Sequence, residues 1–271
     1  MCGIVAATAR RGVSDILVSG LRTLEYRGYD SAGIAMQTDS GLARQRTQGK
    51  VGDLERLLEQ EPLSGHSGIA HTRWATHGVP NTVNAHPHIS SGTVALVHNG
   101  IIENPEELRT ELVADGYDFS SDTDTEVIAH LVHSLMQEGE DLFSAVRKAV
   151  QRLRGAYAIA VISEQEPGVV VGARAGSPLV LGVGFREHFL ASDIHPLLSV
   201  TNRFIYLEEG DVVRMETGGY EIRDAQDQAV EREVREADLA AETVGRGLYR
   251  HYMQKEIFEQ PSAVAETLEG R

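Results

Sequence analysis

A block of helices between two sets of strands constrains the fold of this chain more than any single motif. After Gly155, short apolar runs alternate with tight turns: Ala156–Ile162, Val169–Ala173, Leu179–Val183, Phe189–Ala191, Phe204–Leu207, Val212–Met215 and Tyr220–Ile222. Runs of this length, bounded by turn residues, predict strands. Residues 194–198 suggest a brief helix among them. Just upstream, three segments carry helical spacing. Asn104 stands as N-cap before Pro105, with Glu107 at N3 and Leu108 and Leu112 inward, and Gly116 ends the segment. Thr123-Asp124-Thr125-Glu126 has the form of a capping box, followed by the stripe Val127, Ile128, Leu131, Val132 and Leu135. Asp141 opens a third helix, with Ala145, Val146, Ala149, Val150 and Leu153 inward. The amino-terminal part mixes both types. Strands are predicted at 3–9, 34–36, 42–44, 67–71 and 93–98, and helices at 15–26, N-capped by Ser14, and 51–58. Strands at both ends with helices between predict helices packed on stacked sheets, a layered α+β domain.

Composition narrows the classes of function. With 40 acidic and 25 basic residues the formal charge is −15, which argues against a nucleic-acid partner and against anionic membrane surfaces. No apolar run approaches the roughly 18 residues that span a bilayer, and no basic-then-apolar leader opens the chain. The single cysteine excludes an internal disulfide and points to a reducing, cytoplasmic setting. His86-Pro87-His88 is the tightest histidine pair, but neither a Cys pair nor an HExxH spacing accompanies it, so no metal and no cofactor are expected.

Four places carry candidate chemistry. Cys2 follows the initiator Met1 directly. Removal of Met1 would leave one residue with both a thiol and a free α-amine, and an amine of pKa about 7.7–8.0 can take the thiol proton and later protonate a leaving group. Gly3-Ile4-Val5 then reads as a buried strand, a rigid mount; the plain alternative is a second-position cysteine with no role. Arg73, Trp74, Thr76 and His77 crowd one loop, either a functional cluster or a tryptophan anchoring a surface loop. Asn99-Gly100 follows an apolar strand. The local pattern favours a hairpin turn; the other reading is an amide and a backbone N–H aimed at one point, an oxyanion hole. Asp124 falls in the first turn of its helix, where the helix dipole keeps a carboxylate ionised and able to receive an ammonium.

Longer strings around these residues resemble one family. They are Cys-Gly-Ile-Val at the start, Leu24–Gly33, Gly68–Gly78, Asn84–His88, Val97–Asn104, Ser121–Glu126, Leu207–Asp211 and Tyr249–Ile257. Together they are similar to the glutaminase domain of the class II glutamine amidotransferases, and within these to the glucosamine-6-phosphate synthase family. The resemblance covers essentially the whole chain. It implies an N-terminal nucleophile hydrolase fold of four layers, α-β-β-α. It also implies hydrolysis of the L-glutamine side-chain amide. Cys2 is then the nucleophile, Asn99 and Gly100 the oxyanion hole, Arg73 the grip on the substrate carboxylate with Thr76 and His77 nearby, and Asp124 the ammonium partner. Trp74 belongs to a lid, and Arg27 lies near the cysteine amine.

The same resemblance sets the expected domain organisation. Residues 2–223 form the glutaminase domain. The charged stretch from Asp224, with the helical pattern 249–257 and a helix at 262–268, leads toward a sugar-isomerase half absent here. In that family the half converts fructose 6-phosphate with the released ammonia, and the full-length form is implied to be a homodimer. Two other readings stay open: the glutaminase part of another class II amidotransferase, such as amidophosphoribosyltransferase or asparagine synthetase, and a catalytically silent glutamine-binding module.

Overall fold

The computed structural model describes residues 2–74 and 78–237 and, in the tail, residues 249, 253, 254, 256–258, 260, 261 and 264. The chain divides into two compact units, one ending at Glu236 and the other beginning at Ala237. In the first, the chain runs β1 (Gly3–Ala9), α1 (Ser14–Leu24), a 3-10 turn (Glu25–Arg27), β2 (Ser31–Thr38), β3 (Gly41–Gln48), α2 (Val51–Gln60), β4 (Ser67–Arg73), β5 (His88–Ser90) and β6 (Val94–Ile102). Three helices follow, α3 (Pro105–Ala114), α4 (Asp124–Gln137) and α5 (Leu142–Val150). Then come β7 (Gly155–Ser163), β8 (Val170–Ala175), β9 (Val180–Val183), β10 (Glu187–Ala191), a second 3-10 turn (His195–Leu197), β11 (Arg203–Tyr206), β12 (Val212–Glu216), β13 (Gly219–Arg223), β14 (Ala229–Val230) and β15 (Arg235–Glu236).

The strands form two antiparallel sheets. One has the order β15-β11-β9-β10-β1-β4-β2-β3 and the other β14-β13-β12-β8-β7-β6-β5. Strand alternation decides which side chains lie between them. In β1, Ile4 and Ala6 face the second sheet, and Ala95, Val97, Ala158 and Ala160 meet them from β6 and β7. Leu96, Ile159 and Val161 point the other way, into a second core built with Val127, Ile128, Leu131 and Val132 of α4 and Val146 and Ala149 of α5. Helix α1 covers the outer face of the first sheet with Leu17, Leu21 and Leu24, all fully buried; each such leucine contributes about 2 kcal/mol of transfer free energy. The result is the α+β sandwich, helices on two stacked sheets, that the strand–helix–strand order predicts.

Local expectations needed correction in several places. Asn99-Gly100 makes no hairpin: β6 runs on to Ile102, with Asn99 opposite Ala158 and Gly100 opposite Tyr157 of β7. The apolar residues of β7 outcompete the turn propensity of the dipeptide. Ser14 is the first residue of α1, and Val13 takes the cap position. The Asn104 side chain does not cap α3; it accepts from Arg154 N at 2.9 Å and donates to Arg152 O at 3.0 Å, tying the start of α3 to the end of α5. Thr123 accepts from Glu126 N as a cap should, but the Glu126 carboxylate turns to Ser120 and Ser121 instead of closing the box.

The expected boundary at 223/224 also falls early. Residues 229–230 and 235–236 pair with β13 and β11, at sheet edges where charged residues are at home. Between them Arg232 donates to both oxygens of the fully buried Asp211, at 3.0 and 2.8 Å. The high charge of this stretch is thus partly consumed in holding it down. In the second unit the described residues 253, 254, 256–258, 260, 261 and 264 are helical, in line with the helical pattern around 249–257; most of the helix expected at 262–268 lies outside the described residues.

Candidate active site

Cys2 stands just ahead of β1, a strand held on both sides by β4 and β10. Its neighbour Gly3 pairs with Thr72, so the end of β4 lies beside the thiol. The Trp74 backbone N–H donates to Cys2 Sγ at 3.2 Å, and Sγ lies 3.5 Å from Trp74 O. Burial pushes the thiol pKa up, and the Trp74 hydrogen bond and the Arg73 charge offset this in part. A thiol that burial keeps protonated needs a base at hand before it can attack.

Asn99 reaches this point from the second sheet. Its Nδ2 donates to Cys2 O at 3.3 Å. Next to it, Gly100 has φ +128, and a Cβ there would stand 2.0 Å from Ala156 O. Only glycine fits the register of β6 and β7 at this position. Asp124 is the first residue of α4 and is 7% exposed; its Oδ2 accepts from Ile102 N at 2.9 Å. That bond holds its carboxylate in place at the helix terminus. Arg73, at the end of β4, is almost fully buried, 3.7 Å from Asp30 Oδ1. Trp74 is half exposed, and its ring lies against the backbone of Gly28 so closely that a Cβ would come within 2.1 Å of Cε3.

Cys2, Arg73, Trp74, Gly100 and Asp124 line one narrow cleft. It combines a nucleophile, a cation, an anion and a backbone with left-handed φ, which suits a zwitterionic substrate with a carbonyl to be attacked. A wider cleft, lined by Tyr117, Glu126 and His130, has neither a thiol nor an arginine or lysine in its lining. Of the remaining expected residues, Arg27 faces Asp193, 3.7 Å away, and does not line the cleft. Met1, Thr76 and His77 lie outside the described residues. Among the described residues no group of three or more His, Cys, Asp or Glu is placed to hold a metal.

Sequence reasoning missed a buried histidine cluster at the cleft, two members of which, His86 and His98, line it. His71 and His86 stack with ring centres 4.3 Å apart, and His86 meets His88 edge-on at 5.1 Å. His98 Nδ1 lies 3.1 Å from Thr125 Oγ1 and 3.9 Å from Asp124 Oδ2. In sequence these histidines look scattered. The available signal was the close spacing of His86 and His88, and of His71 with Arg73 two residues on along one strand.

Comparison with known proteins agrees with this geometry. The model of a glutamine amidotransferase domain matches residues 71–199. A Pseudomonas putida glutamine–fructose-6-phosphate aminotransferase is 55% identical over the whole of this chain, which spans 44% of that protein. The Idiomarina loihiensis enzyme of the same name is 56% identical, with 45% of it covered. Among solved structures, a glutamine phosphoribosylpyrophosphate amidotransferase from B. subtilis superposes with a TM-score of 0.72 at 26% identity, over 84% of this chain and 50% of that one. The chain thus spans less than half the length of the curated relatives it matches. It carries a glutamine amidotransferase domain of the kind found in glutamine–fructose-6-phosphate aminotransferases.

Proposed function

We propose that this domain hydrolyses the side-chain amide of L-glutamine to glutamate and ammonia, with Cys2 as nucleophile. The observation that carries this reading is the meeting of Cys2, Gly100 and Asp124 at one cleft, with the Asn99 amide hydrogen-bonded to Cys2 O beside it. After loss of Met1, the α-amine of Cys2 takes the thiol proton, directly or through one water. The thiolate adds to the amide carbon, and the carbonyl oxygen gains the negative charge. Asn99 Nδ2 and the Gly100 N–H are assigned to that oxygen. The ammonium returns its proton to the departing nitrogen, ammonia leaves, and a γ-glutamyl thioester remains. Water, deprotonated by the same amine, then releases glutamate and restores the thiol.

Recognition follows from charge. Arg73 takes the α-carboxylate and Asp124 the α-ammonium, while Trp74, with Thr76 and His77, closes over the substrate. Arg27, set against Asp193, supports the region from outside the cleft. The relatives are named for glutamine and fructose 6-phosphate, and the proposal extends accordingly: in a chain of their length the ammonia passes to fructose 6-phosphate, and the family resemblance adds glucosamine 6-phosphate as product, a sugar-isomerase half and a homodimer. A cytoplasmic location is part of the same proposal, supported by the lone cysteine. No helix among the described residues is long and apolar enough to cross a membrane.

The test is glutamate release from glutamine by Cys2→Ala. Activity should vanish while glutamine still binds. An active Cys2→Ala protein removes the mechanism, and a wild-type domain that binds glutamine without hydrolysing it is a glutamine-sensing module.

A further inference from the structure

Asn99 carries an ambiguity that its backbone cannot resolve. A side-chain amide presents NH₂ on one edge and oxygen on the other. With NH₂ toward Cys2 it can stabilise an oxyanion; rotated by half a turn, its oxygen would repel one. The edge turned away from Cys2 has its own partner. Asn99 Oδ1 lies 2.9 Å from Nε2 of His71, across the gap between the two sheets.

His71 is suited to decide the matter. It sits in β4 opposite Ile4 of β1 and is fully buried. Stacking on His86 holds its ring plane. Burial keeps it neutral, its pKa lowered to about 3, so it owns a single N–H. Among the described residues its Nδ1 has no hydrogen-bond partner. A proton on Nδ1 would be a buried, unpaired donor, at a cost of about 1–3 kcal/mol. A proton on Nε2 has Asn99 Oδ1 as acceptor, and this is the arrangement that leaves Asn99 Nδ2 donating toward Cys2. Tautomer and amide orientation therefore lock each other.

We infer that His71 is a positioning residue for the oxyanion hole: its Nε2–H donates to Asn99 Oδ1 and so turns the Asn99 NH₂ toward the reacting carbonyl at Cys2. The inference rests on the reading of Asn99 as an oxyanion donor. His71 itself lines no part of the cleft and touches no substrate.

The test is steady-state glutamate release by His71→Leu, His71→Gln and His71→Asn, each checked by thermal melt, with Asn99→Ala as reference. Losing one oxyanion donor lowers kcat by about 10²–10³-fold. His71→Leu should lower kcat by at least about tenfold and by no more than that bound, with KM for glutamine little changed. Combined with Asn99→Ala it should cost nothing further. Glutamine places an N–H near the Nε2 position and asparagine does not, so His71→Gln should recover most of kcat and His71→Asn should not. If His71→Leu fails to fold, the Gln-against-Asn comparison decides. Full kcat in His71→Leu, an undiminished loss on the Asn99→Ala background, or equal kcat in the Gln and Asn variants would overturn the inference. Unchanged kcat in Asn99→Ala removes the oxyanion reading itself, and this inference with it.

Discussion

The buried histidines make acid sensitivity a sharp prediction. His71, His86 and His88 are all held neutral by burial, His71 and His88 with pKa values lowered to about 3 and His86 well below its usual value. Arg73, Arg44 and Arg46 face the cluster and disfavour a further positive charge; Glu126 acts the other way on His88 and is outweighed. In the unfolded chain each histidine takes up its proton near pH 6.5. The folded values are depressed, so the stability they contribute is fully present above that pH and is lost as the pH falls toward 3. The amount lost in the upper part of this window depends only on the unfolded value. Between pH 7.5 and 5.5 it is about 1.4 kcal/mol per histidine, or about 4 kcal/mol for three. Most carboxylates do not titrate in this interval, so relief of the −15 charge contributes little. Urea unfolding at the two pH values measures the difference directly. A loss of at least about 4 kcal/mol, since burial lowers His130, His133 and His188 as well, set against the 5–15 kcal/mol typical of domains, would be plain in the midpoint. A free energy of unfolding that changes by less than about 1 kcal/mol would show that these rings are not buried neutral, and the tautomer reasoning for His71 would fall with it.

Three further substitutions probe the cleft. Gly100→Ala sets a methyl 2.0 Å from Ala156 O at φ +128; it should cost at least about 2 kcal/mol in a thermal melt, and a melt like wild type would mean that β6 has room here. Asp124→Asn keeps an acceptor for Ile102 N and removes the charge. KM for glutamine should rise about 10- to 100-fold, the worth of a charge-assisted hydrogen bond, with an unaltered melt; an unchanged KM would strip Asp124 of its role. Gly28→Val drives a side chain into the Trp74 ring. Trp74 is the only tryptophan, so its emission should shift as KM rises, and a spectrum like wild type would show that the ring does not rest there.

Much of the fold was legible because it lies in local patterns. The apolar runs of β1, β7 and β12 and the capping signals at Thr123 and Asp141 are readable without tertiary knowledge. What was not legible depended on partners distant in sequence. Asn99-Gly100 looks like a turn until β7 is placed beside it. Asn104 looks like a cap until its side chain is seen tying Arg152 and Arg154. Residues 224–236 look like a linker until Asp211 is seen holding Arg232. The same holds at the cleft. Cys2, Arg73, Trp74 and Asp124 are nominated by chemistry and resemblance, and the structure brings them to one cleft. His71 cannot be nominated that way, because its importance lies in the hydrogen bond that crosses from one sheet to the other.

The most direct measurement is the intact mass of the protein before and after exposure to 6-diazo-5-oxo-L-norleucine, an electrophilic glutamine analogue, with and without excess glutamine. A processed amino-terminal nucleophile in a glutamine site gives a mass lacking one methionine residue, one adduct on Cys2, and protection by glutamine. A retained methionine, no adduct, or an adduct that glutamine does not block would contradict the assignment of Cys2 as the nucleophile.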